Sequence, residues 1–252
     1  MINVSIVTPT FNSLKYIQKT ANSVLNQTFK EWEWIIVDDL STDGTREYLE
    51  DLEKKDSRIK CILKNDNEGS GPSRNKAIEL AKNKYIAFLD SDDIWIPEKL
   101  ALHTDFMEKN DSSFSHTSYG FIDENDNKIK QTFHVSNSPI AYKDLLKRTE
   151  ISCLTAMYNQ EVIGKMYMPD LRRKQDYALW LSILKKGYKS DPLDIETAFY
   201  RQHSNSATSN KLNLIIKHIV FLNKYEKLNL IQSLYYTISW GLSGFKKYYM
   251  SK

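Results

Sequence analysis

Two cysteines, Cys61 and Cys153, are all that occur in 252 residues, and they lie far apart. That excludes a disulfide-built scaffold and a thiolate metal site, and it reads as free buried thiols in a reducing compartment. No run of about 18 apolar residues exists, so no membrane-spanning helix is expected. The opening Met1-Ile2-Asn3-Val4-Ser5 has no basic segment or long apolar stretch of the signal-peptide kind, and the expected location is the cytoplasm. Glycine is sparse, at eight residues. A Gly-Lys-Ser/Thr phosphate loop is missing, and after Gly69 and Gly71 the third glycine of a dinucleotide fingerprint does not come. P-loop NTPases and NAD enzymes therefore lose ground. The net charge of +3 is too small to argue for nucleic acid. Internal repeats and low-complexity segments are absent.

What is there is an alternation of apolar runs and amphipathic stretches. Ile2 to Thr8, Trp34 to Val37, Ile59 to Leu63 and Tyr85 to Leu89 read as short buried strands. Helical patterns follow them, over Ser13–Asn26, Thr45–Lys54, Pro72–Lys82 and Lys99–Asn110. Strand–helix alternation predicts a doubly wound, mainly parallel α/β sheet with helices on both faces. Further on, Ser113 to His134 reads as a hairpin turning at residues 123–127, Ile151 to Tyr158 as a strand, Tyr177 to Lys186 as a helix ended by Gly187, and Glu196 to Arg201 as a last strand. Residues 211–252 hold seven lysines and one acid, Glu226, a net +6 that leaves −3 on the first 210 residues. Two helices are expected there. The first has Leu212, Ile215, Ile216, Ile219 and Leu222 at helical spacing. The second has Ile231, Leu234, Tyr235, Ile238, Leu242, Phe245 and Tyr249. Both stripes could pack on the body. The alternative for the second is an interfacial helix, with Trp240 and the tyrosines at headgroup level and Lys246-Lys247 on lipid phosphates.

In an open α/β sheet, ligands bind where strands end at their carboxyl edge. The polar residues that follow the predicted strands fall there. Phe11, beside Pro9, can stack on a planar base. Asp39 can accept a hydrogen bond from a ring N–H or a ribose hydroxyl, or simply cap a turn. Arg74 lies early in a helix, against the dipole, which suits it to a phosphate. Asp90-Ser91-Asp92-Asp93 follows the fourth strand. Aspartates at i and i+2 can aim oxygens at one hard divalent cation, although an acidic turn is the plainer reading. Asp176 opens a helix, as an N-cap or as a general base. His203 can reach a metal or a phosphate, or do neither.

Taken together, six stretches resemble the inverting family 2 glycosyltransferases of bacterial surface-polysaccharide type, which have the GT-A fold. They are Val4–Asn12, Ile36–Thr45, Asn67-Glu68-Gly69 with Ser73-Arg74-Asn75, Phe88–Asp93, Gln175–Leu181 and Tyr200–Ser206. The resemblance covers roughly residues 2–210. It implies that residues 1–110 form a nucleotide-sugar-binding half, 111–210 an acceptor-binding and catalytic half of the same domain, and 211–252 an appendage of amphipathic helices. Pro9, Phe11, Asp39 and Asn67 would hold the nucleoside, and Arg74 would contact the nucleotide. Asp90-Ser91-Asp92 would be the DXD metal motif, with Asp92 the direct ligand of Mn²⁺ or Mg²⁺ and Asp90 nearer the ribose or its waters. His203 would reach the metal or diphosphate, and Asp176 would be the catalytic base. The family often has Glu-Asp where this chain has Gln175-Asp176, so the acid is kept and its neighbour differs.

The expected activity is metal-dependent, inverting transfer of a sugar from a nucleotide-sugar, UDP-linked, to a hydroxyl of a lipid-linked or surface-glycan acceptor. Peripheral contact with an anionic membrane, on the inner face of the cell membrane, is the expectation for the basic tail. A sugar nucleotidyltransferase and a non-catalytic nucleotide-sugar or glycan-binding module are the alternatives.

Overall fold

The computed structural model describes residues 3–203 and 211–249, with side chains placed for all of these except 211–213 and 245–249. The expected Ser204-Asn205-Ser206 match and the side chains of Lys246 and Lys247 lie outside the described residues. One nine-stranded sheet runs through the body in the order β3 (Ile59–Leu63), β2 (Trp32–Asp38), β1 (Val4–Thr10), β4 (Tyr85–Phe88), β8 (Met157–Asn159), β6 (Phe114–Ile122), β9 (Asp191–Arg201) and β5 (Ile94–Trp95), with β7 (Lys128–Phe133) against β6. β1, β2, β3 and β4 are mutually parallel. β8 is antiparallel to both β4 and β6, and β9 is parallel to β6. Six strands therefore run the same way, and their carboxyl ends share one rim.

Each central strand buries both faces, and the period of two sorts its residues between two cores. Ile6, Trp34, Ile36 and Ala87 meet α1 (Leu14–Leu25), α2 (Thr45–Lys55) and α4 (Lys99–Lys109) on one side. Val7, Ile35, Val37, Ile86 and Phe88 meet α3 (Ser70–Leu80), α5 (Tyr142–Lys147) and α7 (Gln175–Lys185) on the other. Each such fully buried Val, Ile or Phe side chain contributes about 1.5–3 kcal/mol from burial. The doubly wound, mainly parallel sheet with helices on both faces is thus what the chain forms.

Local departures from the sequence reading have clear causes. β1 continues through Pro9 to Thr10, because its pairing with β4 ends at Val7 and the missing proline N–H costs no ladder bond on that side. The stretch expected as one strand from Ile151 is a 3₁₀ turn over Cys153–Thr155 followed by the short β8. Two-residue β5 and the short α5 and α6 (Gln160–Ile163) were not expected at all; such pieces are too brief for any periodicity to appear. Both cysteines are free. Burial pushes the Cys61 thiol up to about 12 and Cys153 well above its ordinary value, so neither is a ready thiolate.

The tail forms α8 (Lys211–Lys224) and α9 (Leu230–Tyr249), the latter running through Gly241 and Gly244. His218, Phe221 and Leu222 of α8 bury against the body, with Phe221 5.6 Å from the Tyr177 ring. In α9 it is Ser233 and Thr237 that are buried. Trp240 stacks on His218 at 4.4 Å and donates its indole N–H to Thr149 Oγ1, so this tryptophan serves the body side of the helix and not a headgroup layer. The apolar stripe of Ile231, Leu234, Tyr235, Ile238 and Leu242 points to solvent, with Ile231 81% exposed. Among the described residues no helix is long and apolar enough to cross a membrane.

Candidate active site

The shared rim holds a cavity of about 480 Å³. Eight of the nine sequence-predicted residues border it: Pro9, Phe11, Asp39, Asn67, Arg74, Asp90, Asp92 and His203. They arrive there because β1, β2, β3, β4 and β9 all end at this edge. Phe11 stands 49% exposed at the mouth, a large apolar face that the fold leaves unburied.

The loop after β3 is fastened by Asp39. Its carboxylate accepts from Lys64 Nζ (2.6 Å), the backbone N–H groups of Glu68 (3.1 Å) and Gly69 (2.6 Å), and Ser73 Oγ (3.1 Å). Burial pushes this carboxyl up, but those donors outweigh it and hold it below the ordinary carboxylate value. Asn67 Nδ2 donates to the Asp39 carbonyl (3.0 Å). Gly69 has φ +95°, a left-handed backbone that glycine adopts at little cost. Gly71 lacks a Cβ for another reason: one built there would stand 2.6 Å from Gln175 Nε2. The close approach that this glycine permits is that of a side chain from α7, and Gln175 also accepts from Ser70 Oγ (3.1 Å).

The acidic loop after β4 is built with equal care. Arg74, 8% exposed, pairs with Asp90. Ser91 Oγ lies 2.8 Å from Ser13 Oγ, and Thr20 Oγ1 donates to the carbonyls of Ser91 (3.0 Å) and Asp93 (2.9 Å), which pins the loop to α1. Asp92 faces the cavity with His203 Nε2 2.7 Å from its Oδ2. Burial and the Asp90 charge raise Asp92, while His203 opposes the rise. Asp93 points inward and accepts from the Arg201 N–H (2.9 Å); burial and its two acidic neighbours push it well above the ordinary value. Among the described residues no three His, Cys, Asp or Glu side chains form a ready metal site.

Asp176 does not border the cavity but sits in the first turn of α7, close enough that Arg74 and Asp90 act on its charge. Burial is the largest influence and raises its pKa; Arg74 and the Tyr177 N–H oppose that rise, and Asp90 adds to it.

Sequence reading missed Arg201. Its side chain, 1% exposed, donates from Nε to the Asp92 carbonyl (2.7 Å), and from Nη1 to the Asp123 carbonyl (2.8 Å) and Asp126 Oδ1 (2.5 Å). It ties the acidic loop to the β6–β7 turn. Tyr16 was missed as well; its ring lies 5.1 Å from His203 and 5.0 Å from the Arg201 guanidinium. An arginine at a strand end and a tyrosine on a helix carry no local signal of this junction.

A carboxyl-edge cavity bordered by Arg74 and the Asp90-Ser91-Asp92 loop, on a mainly parallel sheet with helices on both faces, is the arrangement of a GT-A glycosyltransferase. The Glycosyl transferase family 2 profile matches residues 5–166, and the chain belongs to that family. It is 39% identical over 244 residues to the putative teichuronic acid biosynthesis glycosyltransferase TuaG of Bacillus subtilis, covering 97% of this chain and 96% of the relative. It is 37% identical to the UDP-Glc:alpha-D-GlcNAc-diphosphoundecaprenol beta-1,3-glucosyltransferase WfgD of Escherichia coli, over 97% and 94% of the two chains. The S. aureus TarS fragment 1–349, solved in complex with UDP-GlcNAc, has the same fold with TM-score 0.73 at 20% identity, over 97% of this chain and 73% of that one.

Proposed function

We propose that the protein moves a sugar from a UDP-sugar to a hydroxyl of a lipid-linked or surface-glycan acceptor, by a metal-dependent single displacement that inverts the anomeric centre. The observation that carries this reading is the convergence of Phe11, Asp39, Asn67, Arg74, Asp90, Asp92 and His203 on one cavity, with Asp176 beside it. The E. coli relative's name supplies the donor and acceptor classes. In this reading residues 1–110 hold the donor and 111–210 the acceptor.

Phe11 stacks on the base at the mouth, and the loop ordered by Asp39 and Asn67 meets the nucleoside. Arg74 lies along the diphosphate. Asp92 and His203 fit a hard divalent cation, Mn²⁺ or Mg²⁺. They are an oxygen and a nitrogen ligand side by side in an acidic loop, where Asp93 Oδ2 has no hydrogen-bond partner among the described residues. Such a cation would neutralise the charge that the departing diphosphate gains. Asp176 takes the acceptor proton as the hydroxyl attacks. Its raised pKa brings it nearer the range where a base works well at neutral pH, and no enzyme nucleophile is needed.

A panel of nucleotide-sugars, assayed for nucleotide release with Mn²⁺ and with EDTA, tests the reading. Release of UDP from one UDP-sugar, lost with EDTA and yielding a β-glycoside by NMR, is expected. Pyrophosphate release from a nucleoside triphosphate, with every nucleotide-sugar inert, would instead identify a nucleotidyltransferase.

The tail is read as a peripheral contact with an anionic membrane on the cytoplasmic side. Ile215, Ile216 and Val220 of α8 stand exposed as well as the α9 stripe, and Lys217 and Lys224 of α8 and Lys227 in the turn before α9 are exposed too. The one acid of the segment, Glu226, is buried against Lys185 (2.7 Å) and Tyr142 and offers no repulsion. Ile231→Glu with Ile238→Glu should abolish cosedimentation with phosphatidylglycerol vesicles and leave transfer to a water-soluble acceptor intact. Unchanged cosedimentation, with a dimer-to-monomer shift in gel filtration, would make the face a subunit contact.

A further inference from the structure

The chain has seven arginines. Arg46, Arg58, Arg74, Arg148 and Arg201 each have a carboxylate within ion-pair distance. Arg172 and Arg173 are the two with none among the described residues, and both are exposed. They sit in the middle of a segment whose ends are firmly held. At one end the Met168 N–H donates to Asn75 Oδ1 (2.7 Å), Asn75 Nδ2 donates to the Met168 carbonyl (2.8 Å), and the Met168 sulfur lies 3.7 Å from Arg74 Nη1 in the donor cavity. At the other end Lys174, in a left-handed conformation at φ 60°, donates to His218 Nδ1 of α8 and lies 4.9 Å from the Trp240 ring of α9. Asp176 follows two residues later. Gln175 locks the same stretch by donating to the Leu171 carbonyl.

We propose that Arg172 and Arg173 form the subsite for the diphosphate of a lipid-linked acceptor; this rests on the transfer reading given above. Chain connectivity keeps the Arg173 Cα within about 11 Å of the Asp176 Cα. That is the span of one sugar ring plus the reach of a guanidinium. An acceptor whose terminal hydroxyl meets Asp176 therefore brings the diphosphate beneath its first sugar to these two side chains. Each guanidinium offers a planar fork of donors that matches phosphate oxygens, and among the described residues neither has an ion pair to break first. The lipid beyond the diphosphate then runs toward α8 and α9, whose outer faces are apolar. Lys174 takes no part in binding; its burial among His218, Tyr177, Phe221 and Trp240 sets the segment's position.

The test measures binding, with no turnover, on the full chain in detergent micelles with excess UDP and Mn²⁺ filling the donor cavity. The probes are farnesyl diphosphate and farnesol. The wild type should bind farnesyl diphosphate more tightly than farnesol. Arg172→Gln with Arg173→Gln should weaken the diphosphate at least tenfold and leave both farnesol and UDP affinities unchanged. Equal binding of farnesyl diphosphate by the two proteins overturns the proposal. A parallel loss of UDP affinity overturns it too, by giving the arginines to the donor. So does an equal loss of binding to phosphatidylglycerol vesicles, which would make them general membrane contacts. Failure of the nucleotide-sugar panel would sink the transfer reading while leaving this binding result to stand or fall alone.

Discussion

Replacing Asp176 by Asn lowers sugar transfer by roughly 10²- to 10⁴-fold, the range lost with a positioned general base, while UDP binding is kept. The asparagine is nearly isosteric, so the first turn of α7 and the Gln175 contacts to Ser70 and Leu171 stay in place. What is lost is the ability to accept a proton from the attacking hydroxyl. A kcat that falls with an unchanged donor Kd, read by calorimetry with UDP, is the signature. Transfer at the wild-type rate would remove Asp176 from the base role. The pH profile makes the same argument. A base acts only when deprotonated, and burial raises the Asp176 pKa above the ordinary carboxylate value. Activity should therefore fall, as pH is lowered, at a higher pH than an exposed aspartate would give. An acid limb at or below the ordinary value would contradict the burial.

Arg201→Met should destabilise the fold by about 3–5 kcal/mol, the cost of stripping one partner from a buried charge cluster. Asp93 would lose the neighbouring positive charge, and the carbonyls of Asp92 and Asp123 and the Asp126 carboxylate would each lose the hydrogen bond that the guanidinium supplies, although Asp126 keeps Lys19 and the Asp123 carbonyl keeps the Asp126 N–H. Methionine fills much of the volume, so the loss reports charge and hydrogen bonds more than a cavity. Urea denaturation gives the magnitude. Adding Asp93→Asn to Arg201→Met should recover part of it, because the uncompensated buried charge is then gone. Equal stability of the single variant and the wild type would show that the cluster is not what holds the acidic loop to the β6–β7 turn. Because Asp92 belongs to that loop, the single variant should also bind UDP more weakly.

Much of this molecule was readable in advance. The strands ending near Thr8, Val37, Leu63 and Leu89 were visible because a strand buried on both faces must be apolar throughout, and each is followed by an abrupt run of polar residues. Their parallel arrangement followed from the helices between them, and with it the convergence of Phe11, Asp39, Arg74 and Asp92. The cavity itself needed few long-range facts. His203 joined it because β9 runs with β6 and ends at the same rim, which the strand pattern alone does not state.

The tail shows the opposite case. The heptad-like stripe from Ile231 to Leu242 was legible as an amphipathic face, but a stripe records only which side is apolar and not what it touches. In the folded chain that side faces outward, and the body is met by Ser233, Thr237 and Trp240. The sequence alone settled the α/β class and pointed to the carboxyl-edge residues that border the cavity, since these depend on local period and on residue type. Only the tertiary structure decided that Arg201 braces the acidic loop, that Gly71 makes room for Gln175, and that Arg172 and Arg173 have no ion-pair partner among the described residues. Those are relations between residues distant in the chain, and no local pattern encodes which charges will meet.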